Sequence, residues 1–261
     1  MRSNPEPLHP AVTISVVIPV YNDADFLRTC LRALAQQRRP ADEIVVVDNN
    51  STDASAAIAR AAGVRLVTEP LQGIWPAAAA GYDAATGDII ARLDADSVPP
   101  ADWLARIEDR FTRLPHTAVL TGPGDFYGSG PITAWLGGHV YIGGYFVWMG
   151  LWIGHYPLFG SNFAMRRQVW TANRDAVRRT RSDVHDDLDF SMQLSRAEPV
   201  TLDRTLRVAI SARPFETPQG LGKRIRWAGR TLFSGWPAYS PWRIRRFARR
   251  RDEPGAHRPR S

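Results

Sequence analysis

Apolar runs recur along the N-terminal half of the chain, and each is followed by residues with helical spacing. Residues 14–20 form a continuous apolar run of strand length, and the apolar positions of residues 26–34 then recur at helix-face spacing. The same order repeats in residues 43–47 with 54–58, in residues 65–68 with the alanine-rich stretch 76–85, and the next run starts at residue 89. Strands without polar alternation, separated by helices, predict an α/β fold with a parallel sheet covered on both faces.

Two carboxylates end the apolar run that begins at residue 89. Asp94 and Asp96 are separated by Ala95, so an extended chain would point both acids to the same side. Open α/β sheets bind ligands at the carboxyl ends of their strands, and Mg²⁺ or Mn²⁺ held by one or two carboxylates usually completes its shell with substrate phosphates. The pattern therefore predicts a metal site, and its alternative is a strand end with solvated acids in a turn.

Composition limits the class of protein. A chain of 261 residues with 44% hydrophobic content accommodates one large α/β domain. The single cysteine, Cys30, excludes a disulfide within the chain and indicates a reducing compartment. Residues 1–12 are polar and lack the apolar core of a secretory signal, so we expect a flexible N-terminal arm.

An ordered series of motifs over residues 14–230 resembles the family 2 inverting glycosyltransferases of GT-A fold. The matching stretches are residues 17–23 (VIPVYND), 46–53 (VVDNNSTD), Gly81, 87–88, 94–96 (DAD), 99–104, 160–167 (GSNFAMRR) and 186–189 (DDLD). The resemblance implies a mostly parallel central sheet flanked by helices and an inverting hexosyltransferase activity. A P-loop is excluded because no G-x-x-x-x-G-K is present, and a dinucleotide fingerprint because no glycines follow the first strand.

The resemblance also implies roles for the acids of the first half. Asp48 is expected to accept hydrogen bonds from the base, Asp94 to face the ribose and diphosphate, and Asp96, with Asp94, to coordinate Mn²⁺ or Mg²⁺. The remaining nucleotide contacts fall on the loop from residue 19 to residue 23, at Pro19, Tyr21 and Asp23. A cation there would stabilise the negative charge that develops on the leaving diphosphate.

An inverting transfer needs a base that deprotonates the acceptor hydroxyl. Asp186 and Asp187 stand where the family usually has Glu-Asp, and by this resemblance we expect Asp187 to be the base, with Asp186 as the alternative. From the residues alone, both could instead favour the start of the following helix through its dipole.

Two stretches depart from the family pattern. Ala78 and Ala79 replace the Arg-Asn pair that often precedes the glycine matched by Gly81, which leaves the donor sugar open. Residues 223–227 resemble the Gln-x-x-Arg-Trp motif of processive members with the glutamine replaced. This implies a diphosphate contact for Arg226 and stacking of Trp227 on an acceptor sugar or prenyl chain, whereas the alternative is a basic surface helix.

Residues 126–165 contain no Asp, Glu, Lys or Arg, and residues 134–154 are long enough to span a bilayer. A single crossing is excluded because it would separate Asp96 from Asp187, which must meet at one sugar. The segment is therefore expected either at a membrane interface, which its Trp and Tyr content favours, or as core on the acceptor side.

The basic tail gives a second indication of membrane contact. Trp242, Ile244 and Phe247 interrupt a run of arginines, and anionic lipid attracts such segments by about 1 kcal/mol per basic residue. The alternatives are a solvated tail and a nucleic-acid-binding tail, and we expect no nucleic-acid partner because no such motif is present.

The predicted organisation is an arm (1–12), a nucleotide-sugar-binding half (13–125), an acceptor-binding and catalytic half (126–230) and a basic tail (231–261). The predicted function is metal-dependent transfer from a nucleotide-sugar donor to a glycan or lipid-linked acceptor, within cell-envelope glycan synthesis. The expected location is cytoplasmic, peripheral on the inner face of the cell membrane. The alternatives are transfer to a soluble or protein acceptor, or a catalytically inactive GT-A-like scaffold.

Overall fold

A computed structural model describes residues 12–128, 130, 137, 142–181, 183–195, 197–213 and 218–233. The predicted N-terminal arm up to residue 11, most of residues 129–141 and the arginine-rich segment after Pro241 lie outside the described residues. The elements are, in chain order, β1 Ile14–Val20, α1 Ala24–Ala35, β2 Glu43–Asp48, α2 Ser55–Ala61, β3 Arg65–Thr68, α3 Ile74–Ala84, β4 Ile89–Arg92, α4 Trp103–Arg113, β5 Val119–Thr121, β6 Gly124–Tyr127, α5 Gly143–Ile153, β7 Phe163–Arg166, α6 Arg167–Asn173, α7 Asp186–Ser191, β8 Val200–Leu202, β9 Val208–Ser211 and α8 Pro218–Phe233.

A seven-stranded sheet with the order β3-β2-β1-β4-β7-β5-β8 forms the centre of the molecule. Strands β1 to β4 are mutually parallel where they pair, and β8 is parallel to β5. Only β7 runs antiparallel to its neighbours β4 and β5. The predicted α/β class with a mostly parallel sheet is therefore confirmed. Because β7 lies between β4 and β5, residues from both predicted halves of the chain share one sheet.

Apolar side chains pack on both faces of this sheet, which explains why its strands show no polar alternation. Val16 and Ile18 of β1 belong to a core with α1 and α4, whereas Val17 belongs to a second core on the opposite face. The second core is rich in aromatic residues, among them Trp75, Tyr82, Phe163, Trp170 and Phe190.

The strand β1 covers the whole predicted run and takes up the first residues of the expected nucleotide loop. It continues to Val20, so Pro19 is buried within the strand opposite Val47, and the expected nucleotide loop begins only at Tyr21. Pro19 has no N–H to donate, but β4 pairs with β1 only as far as Val17. The proline therefore costs the sheet no ladder hydrogen bond on that side.

Helix α5 covers the second part of the uncharged segment. Its residue Ile153 packs with Leu188, Met192 and Leu232, which come from α7, the residue after it, and α8. Within the described part of the chain, no helix combines the length and apolar character that crossing a membrane requires. Residues 143–153 of the uncharged segment thus form a helix that packs against α7 and α8.

A glycine sets the distance between α3 and the sheet. A Cβ at Gly81 would lie 2.4 Å from Cγ1 of Val17 and 2.9 Å from Cγ2 of Val47. We predict that Gly81→Ala lowers the free energy of unfolding by about 1–3 kcal/mol, because overpacking outweighs the gain in helix propensity. Gly229→Ala is the control, since a Cβ at this position in α8 meets nothing within 4 Å. Chemical denaturation should show the control to be neutral or stabilising, and equal effects of the two substitutions would contradict the packing argument.

Candidate active site

The loops after β1 and β2 are tied together at the carboxyl edge of the sheet. Asn22 adopts a left-handed conformation with φ of 51°, which asparagine tolerates better than most residues. Its Oδ1 accepts a hydrogen bond from the Thr52 N–H at 2.7 Å, and its own N–H donates to Ser51 Oγ at 3.1 Å. Asp48, buried at the end of β2, accepts the Ser51 N–H at 3.2 Å. The two loops that carry the predicted nucleotide contacts are therefore neighbours, and Tyr21 is exposed there.

Asp94 and Asp96 lie on a turn and not on a strand. β4 ends at Arg92, and the Ser97 N–H donates to the Asp94 carbonyl oxygen at 3.0 Å, which closes the turn. Asp94 and Asp96 therefore do not alternate along an extended strand as predicted, because β4 ends two residues before Asp94. The two acids are nevertheless close enough that the charge of Asp94 contributes to raising the pKa of Asp96.

A buried arginine connects the predicted donor acids to the predicted base region. The Arg92 side chain is only 1% exposed, and its guanidinium lies 2.7 Å from Asp94 Oδ1 and 2.5 Å from Asp186 Oδ2. It also donates to the hydroxyl oxygen of Tyr82 at 3.1 Å. Arg92 belongs to none of the motifs that predicted the site. Its place inside an apolar strand is nevertheless a signal, since arginine is almost never fully buried without a partner.

The consecutive residues Gly160 and Ser161 connect Asp94 to Asp187 and so complete a ring of contacts. Ser161 donates its hydroxyl to Asp94 Oδ2 at 2.6 Å, and the Gly160 N–H donates to Asp187 Oδ2 at 2.9 Å. A Cβ at Gly160 would stand 3.2 Å from that same oxygen, so the close approach favours glycine. Asp94 is thereby linked to Asp186 through Arg92 and to Asp187 through residues 160 and 161.

The neighbouring acids Asp186 and Asp187 have different surroundings. Asp186 is buried and paired with Arg92, whereas Asp187 is partly exposed and accepts the N–H groups of Gly160 and Leu188. Desolvation of its carboxyl group by the surrounding protein, followed by the charge of Asp186, raises the pKa of Asp187 above the usual value for aspartate. An acid with a raised pKa accepts a proton more readily, and Asp187 is the one of the two without a guanidinium partner among these contacts.

The surroundings of Asp96 suit a divalent cation that takes further ligands from a substrate. Burial and the charge of Asp94 raise the pKa of Asp96 to about 6, partly offset by Arg213, whose Nη2 lies 3.3 Å from Asp96 Oδ2. No group of three or more His, Cys, Asp or Glu side chains in the described residues could hold a metal ion on its own. Two close carboxylates fit an ion such as Mg²⁺ or Mn²⁺ whose remaining ligands are water molecules or oxygens of the donor diphosphate.

The residues implied by the processive-type motif are only partly brought to this site. The Trp227 ring lies edge-on to His185, with 5.8 Å between ring centroids, directly beside the two acids. Arg226 is exposed on the same helix, and the structure gives it no contact with Asp94 or Asp96. Ala78 and Ala79 are fully buried in the aromatic-rich core, so the positions that often hold Arg-Asn serve packing here.

Comparison with known proteins identifies the family. A family model described as Glycosyl transferase family 2 matches residues 15–171, more than half of the 261-residue chain. Glycosyltransferase AglE of Haloferax volcanii is 38% identical over 101 residues, which cover 36% of this chain and 33% of that protein. An undecaprenyl-phosphate 4-deoxy-4-formamido-L-arabinose transferase of Pseudomonas fluorescens is 36% identical over 113 residues, 40% of this chain and 32% of that protein. The chain thus spans about a third of the length of these relatives.

A solved structure shares the fold. Glucosyl-3-phosphoglycerate synthase from Mycobacterium tuberculosis, determined with Mn²⁺, UDP-glucose and phosphoglyceric acid, superposes with a TM-score of 0.61 at 19% identity. The match covers 85% of this chain and 79% of that chain. The GT-A architecture expected from the sequence is therefore confirmed.

Replacing Arg92 should lower the stability of the fold, because its partner Asp186 is buried. We predict that Arg92→Met lowers the free energy of unfolding by about 3–5 kcal/mol, because Asp186 is left buried without a cation. Adding Asp186→Asn should recover at least about 1 kcal/mol. Arg179→Met is the control, since the Arg179–Asp83 pair is about one-third exposed and should contribute no more than about 1 kcal/mol. Urea denaturation measures all four proteins, and a double variant less stable than Arg92→Met would contradict the pairing.

Proposed function

The chain belongs to glycosyl transferase family 2, and we propose that it is a metal-dependent, inverting enzyme that transfers a sugar from a nucleoside-diphosphate donor to a lipid-linked acceptor. The observation that carries this proposal is the ring of contacts that holds Asp94 next to both Asp186 and Asp187. A donor bound at Asp94 would have its sugar close to the acid we propose as base.

The donor would bind at the edge of the sheet where the loops after β1, β2 and β4 lie. Asp48 lies at the end of β2 and Asp94 follows β4, the two strands that flank β1. Asp96 would hold a divalent ion together with donor oxygens. Such an ion acts as a Lewis acid that offsets the negative charge developing on the leaving diphosphate. The complex of the M. tuberculosis enzyme with Mn²⁺ and UDP-glucose supports this assignment by analogy of fold.

Asp187 is the proposed base. Its two backbone hydrogen bonds, from Gly160 and Leu188, fix the orientation of its carboxylate. Asp186 is paired with the buried guanidinium of Arg92, so we assign it the role of partner to that arginine and not of base. In an inverting transfer, Asp187 takes the proton of the acceptor hydroxyl as its oxygen attacks the anomeric carbon, and the bond to the diphosphate breaks on the opposite face.

A lipid-linked acceptor is supported by an exposed apolar surface beside the base. On α5, Val147, Trp148 and Leu151 share one helix face and are 57%, 68% and 59% exposed. Phe233 is also exposed at the end of α8, and its ring meets Trp152 edge-on at 5.9 Å. Exposed apolar clusters of this kind mark interaction sites. Because α5 packs on α7, which carries Asp187, a membrane at this surface would present a lipid-linked acceptor near the base.

Exposed arginines and a related protein also support a place at the membrane surface. Arg226 and Arg230 are exposed on α8, the helix that ends at the exposed Phe233, and basic residues of this kind are attracted to anionic lipid. The related P. fluorescens protein is named for transfer to undecaprenyl phosphate. We therefore place the enzyme peripherally at the inner face of the cell membrane, with the tail after Pro241 as a further contact. Transfer to a soluble acceptor is the alternative if this surface proves not to bind lipid.

The metal assignment can be tested by ligand binding. A ligand at about 100 times its dissociation constant raises the free energy of unfolding by about 2.7 kcal/mol, so a thermal-shift screen of nucleotide sugars with Mn²⁺ should identify the donor. Asp96→Asn should abolish this shift and the transfer activity while leaving the free energy of unfolding in buffer within about 1 kcal/mol of the wild type. Asp109→Asn, which changes an exposed acid of α4, is the control. Full activity of the wild type in excess chelator would overturn the metal dependence.

Replacing the base should separate binding from turnover. Asp187→Asn keeps the shape but removes the proton acceptor, so kcat should fall by about 10² to 10⁴ while donor affinity persists. Because the pKa of Asp187 is raised, wild-type activity should fall with acidification at a higher pH than an ordinary aspartate would give. Asp186→Asn should cost less in kcat, and a larger loss for Asp186→Asn at equal folded fraction would assign the base to Asp186.

The membrane surface can be tested by vesicle sedimentation. Trp148→Gln combined with Leu151→Gln should weaken binding to phosphatidylglycerol vesicles at least about tenfold, because burying each apolar side chain contributes about 1.5–3 kcal/mol. Leu114→Gln removes an exposed leucine outside this surface and should leave binding unchanged. Undiminished binding of the double variant would exclude α5 as the contact, and no binding by the wild type would favour the soluble acceptor.

A further inference from the structure

Arg213 reaches the donor side of the site from the far end of the chain. Its guanidinium contacts both carboxylate oxygens of Asp23, at 2.6 Å and 3.1 Å, and its Nη2 lies 3.3 Å from Asp96 Oδ2. The guanidinium carbon also stacks 4.0 Å from the centroid of the Phe26 ring. Arg213 therefore joins the loop after β1 to the turn after β4, and nothing in the sequence pattern singled it out.

The fold fixes where this arginine starts. β9 pairs in parallel with β6, and Ala209 of β9 bridges to Val98, two residues after Asp96. Tyr127, at the end of β6, donates its hydroxyl to the Asp96 carbonyl oxygen at 2.8 Å. The small sheet is thus attached to the turn that carries Asp96, and it places the backbone of Arg213 beside that acid.

The position of Arg213 conflicts with a second cation at Asp96. Mg²⁺ or Mn²⁺ binds a carboxylate oxygen at about 2.1 Å, and the Arg213 nitrogen lies 3.3 Å from one of the same two oxygens. Two positive charges so close would repel each other. The Arg213 side chain is 41% exposed, so it has room to leave Asp96. A guanidinium is also the group best shaped to bind phosphate oxygens in pairs.

We propose that Arg213 is a built-in counter-cation of the donor site, which a divalent ion displaces from Asp96 and which then binds the diphosphate of the donor. Without a cation, Asp23, Asp94 and Asp96 would repel a diphosphate. Arg213 compensates Asp23 and Asp96 before the metal binds, whereas Asp94 is paired with Arg92. After the metal has bound, Arg213 adds positive charge beside the leaving group. The inference rests on the proposed function in one respect, namely that Asp96 binds a divalent ion.

The two roles of Arg213 predict effects of opposite sign. Without nucleotide, Arg213→Met should bind Mn²⁺ about 5-fold more tightly than the wild type, because the competing cation is gone. With saturating Mn²⁺, the same variant should bind pyrophosphate about 10-fold more weakly, because a charge-assisted contact is lost. Electron paramagnetic resonance measures free Mn²⁺, and calorimetry measures pyrophosphate binding. Arg207→Met is the matched control, since Arg207 directly precedes β9 and its guanidinium pairs with the exposed Asp125.

Each outcome distinguishes this inference from the proposed function. If Asp96→Asn leaves Mn²⁺ binding intact, the proposed metal site itself fails. If Asp96→Asn abolishes Mn²⁺ binding while Arg213→Met leaves it unchanged or weakens it, the displacement of Arg213 is overturned and the metal site stands. Unchanged pyrophosphate affinity in Arg213→Met would overturn the second role. Arg213→Lys keeps the charge without the paired geometry, so it should restore wild-type Mn²⁺ affinity but only part of the pyrophosphate affinity.

Discussion

The Arg92 guanidinium, closed off from solvent between Asp94 and Asp186, is the interaction on which the geometry of the site depends. A buried guanidinium is costly unless its partners are well placed, and removing either acid would leave the other charges uncompensated. The strand β4 therefore contributes Arg92 to the site, in addition to leading into the turn with Asp94 and Asp96. It carries, inside the sheet, the cation that fixes the donor-side acid Asp94 relative to the helix α7 on which Asp187 lies.

This arrangement explains how adjacent acids acquire different chemistry. Asp186 and Asp187 begin the same short helix, yet one neutralises Arg92 and the other faces the Gly160 N–H. Desolvation of the Asp187 carboxyl is the first cause of its raised pKa, and the charge of Asp186 beside it is the second. The proposed base is thus tuned by a neighbour that does not itself transfer the proton.

The fold could be predicted because it rests on local patterns. The β-branched runs at residues 14–20, 43–47 and 65–68 became β1, β2 and β3 within one residue of the expected bounds, and the alanine-rich stretch became α3. The identities of Asp94, Asp96 and Asp187 could be proposed from motif order. The contacts between them could not, because Arg92, Ser161 and Arg213 act through partners far away in sequence. The extended conformation predicted for Asp94 and Asp96 is absent for a related reason, since the pairing of β4 with β1 and β7 ends at Arg92.

The stereochemistry of sugar transfer depends on the role of Asp187. If Asp187 activates the attacking oxygen on the face opposite the diphosphate held near Asp94, the anomeric configuration must invert. Proton NMR of slow hydrolysis of an α-linked nucleotide sugar, recorded before mutarotation, should show the β-anomer as the first product. Release of the α-anomer first would contradict the assignment of Asp187 as a base for direct displacement.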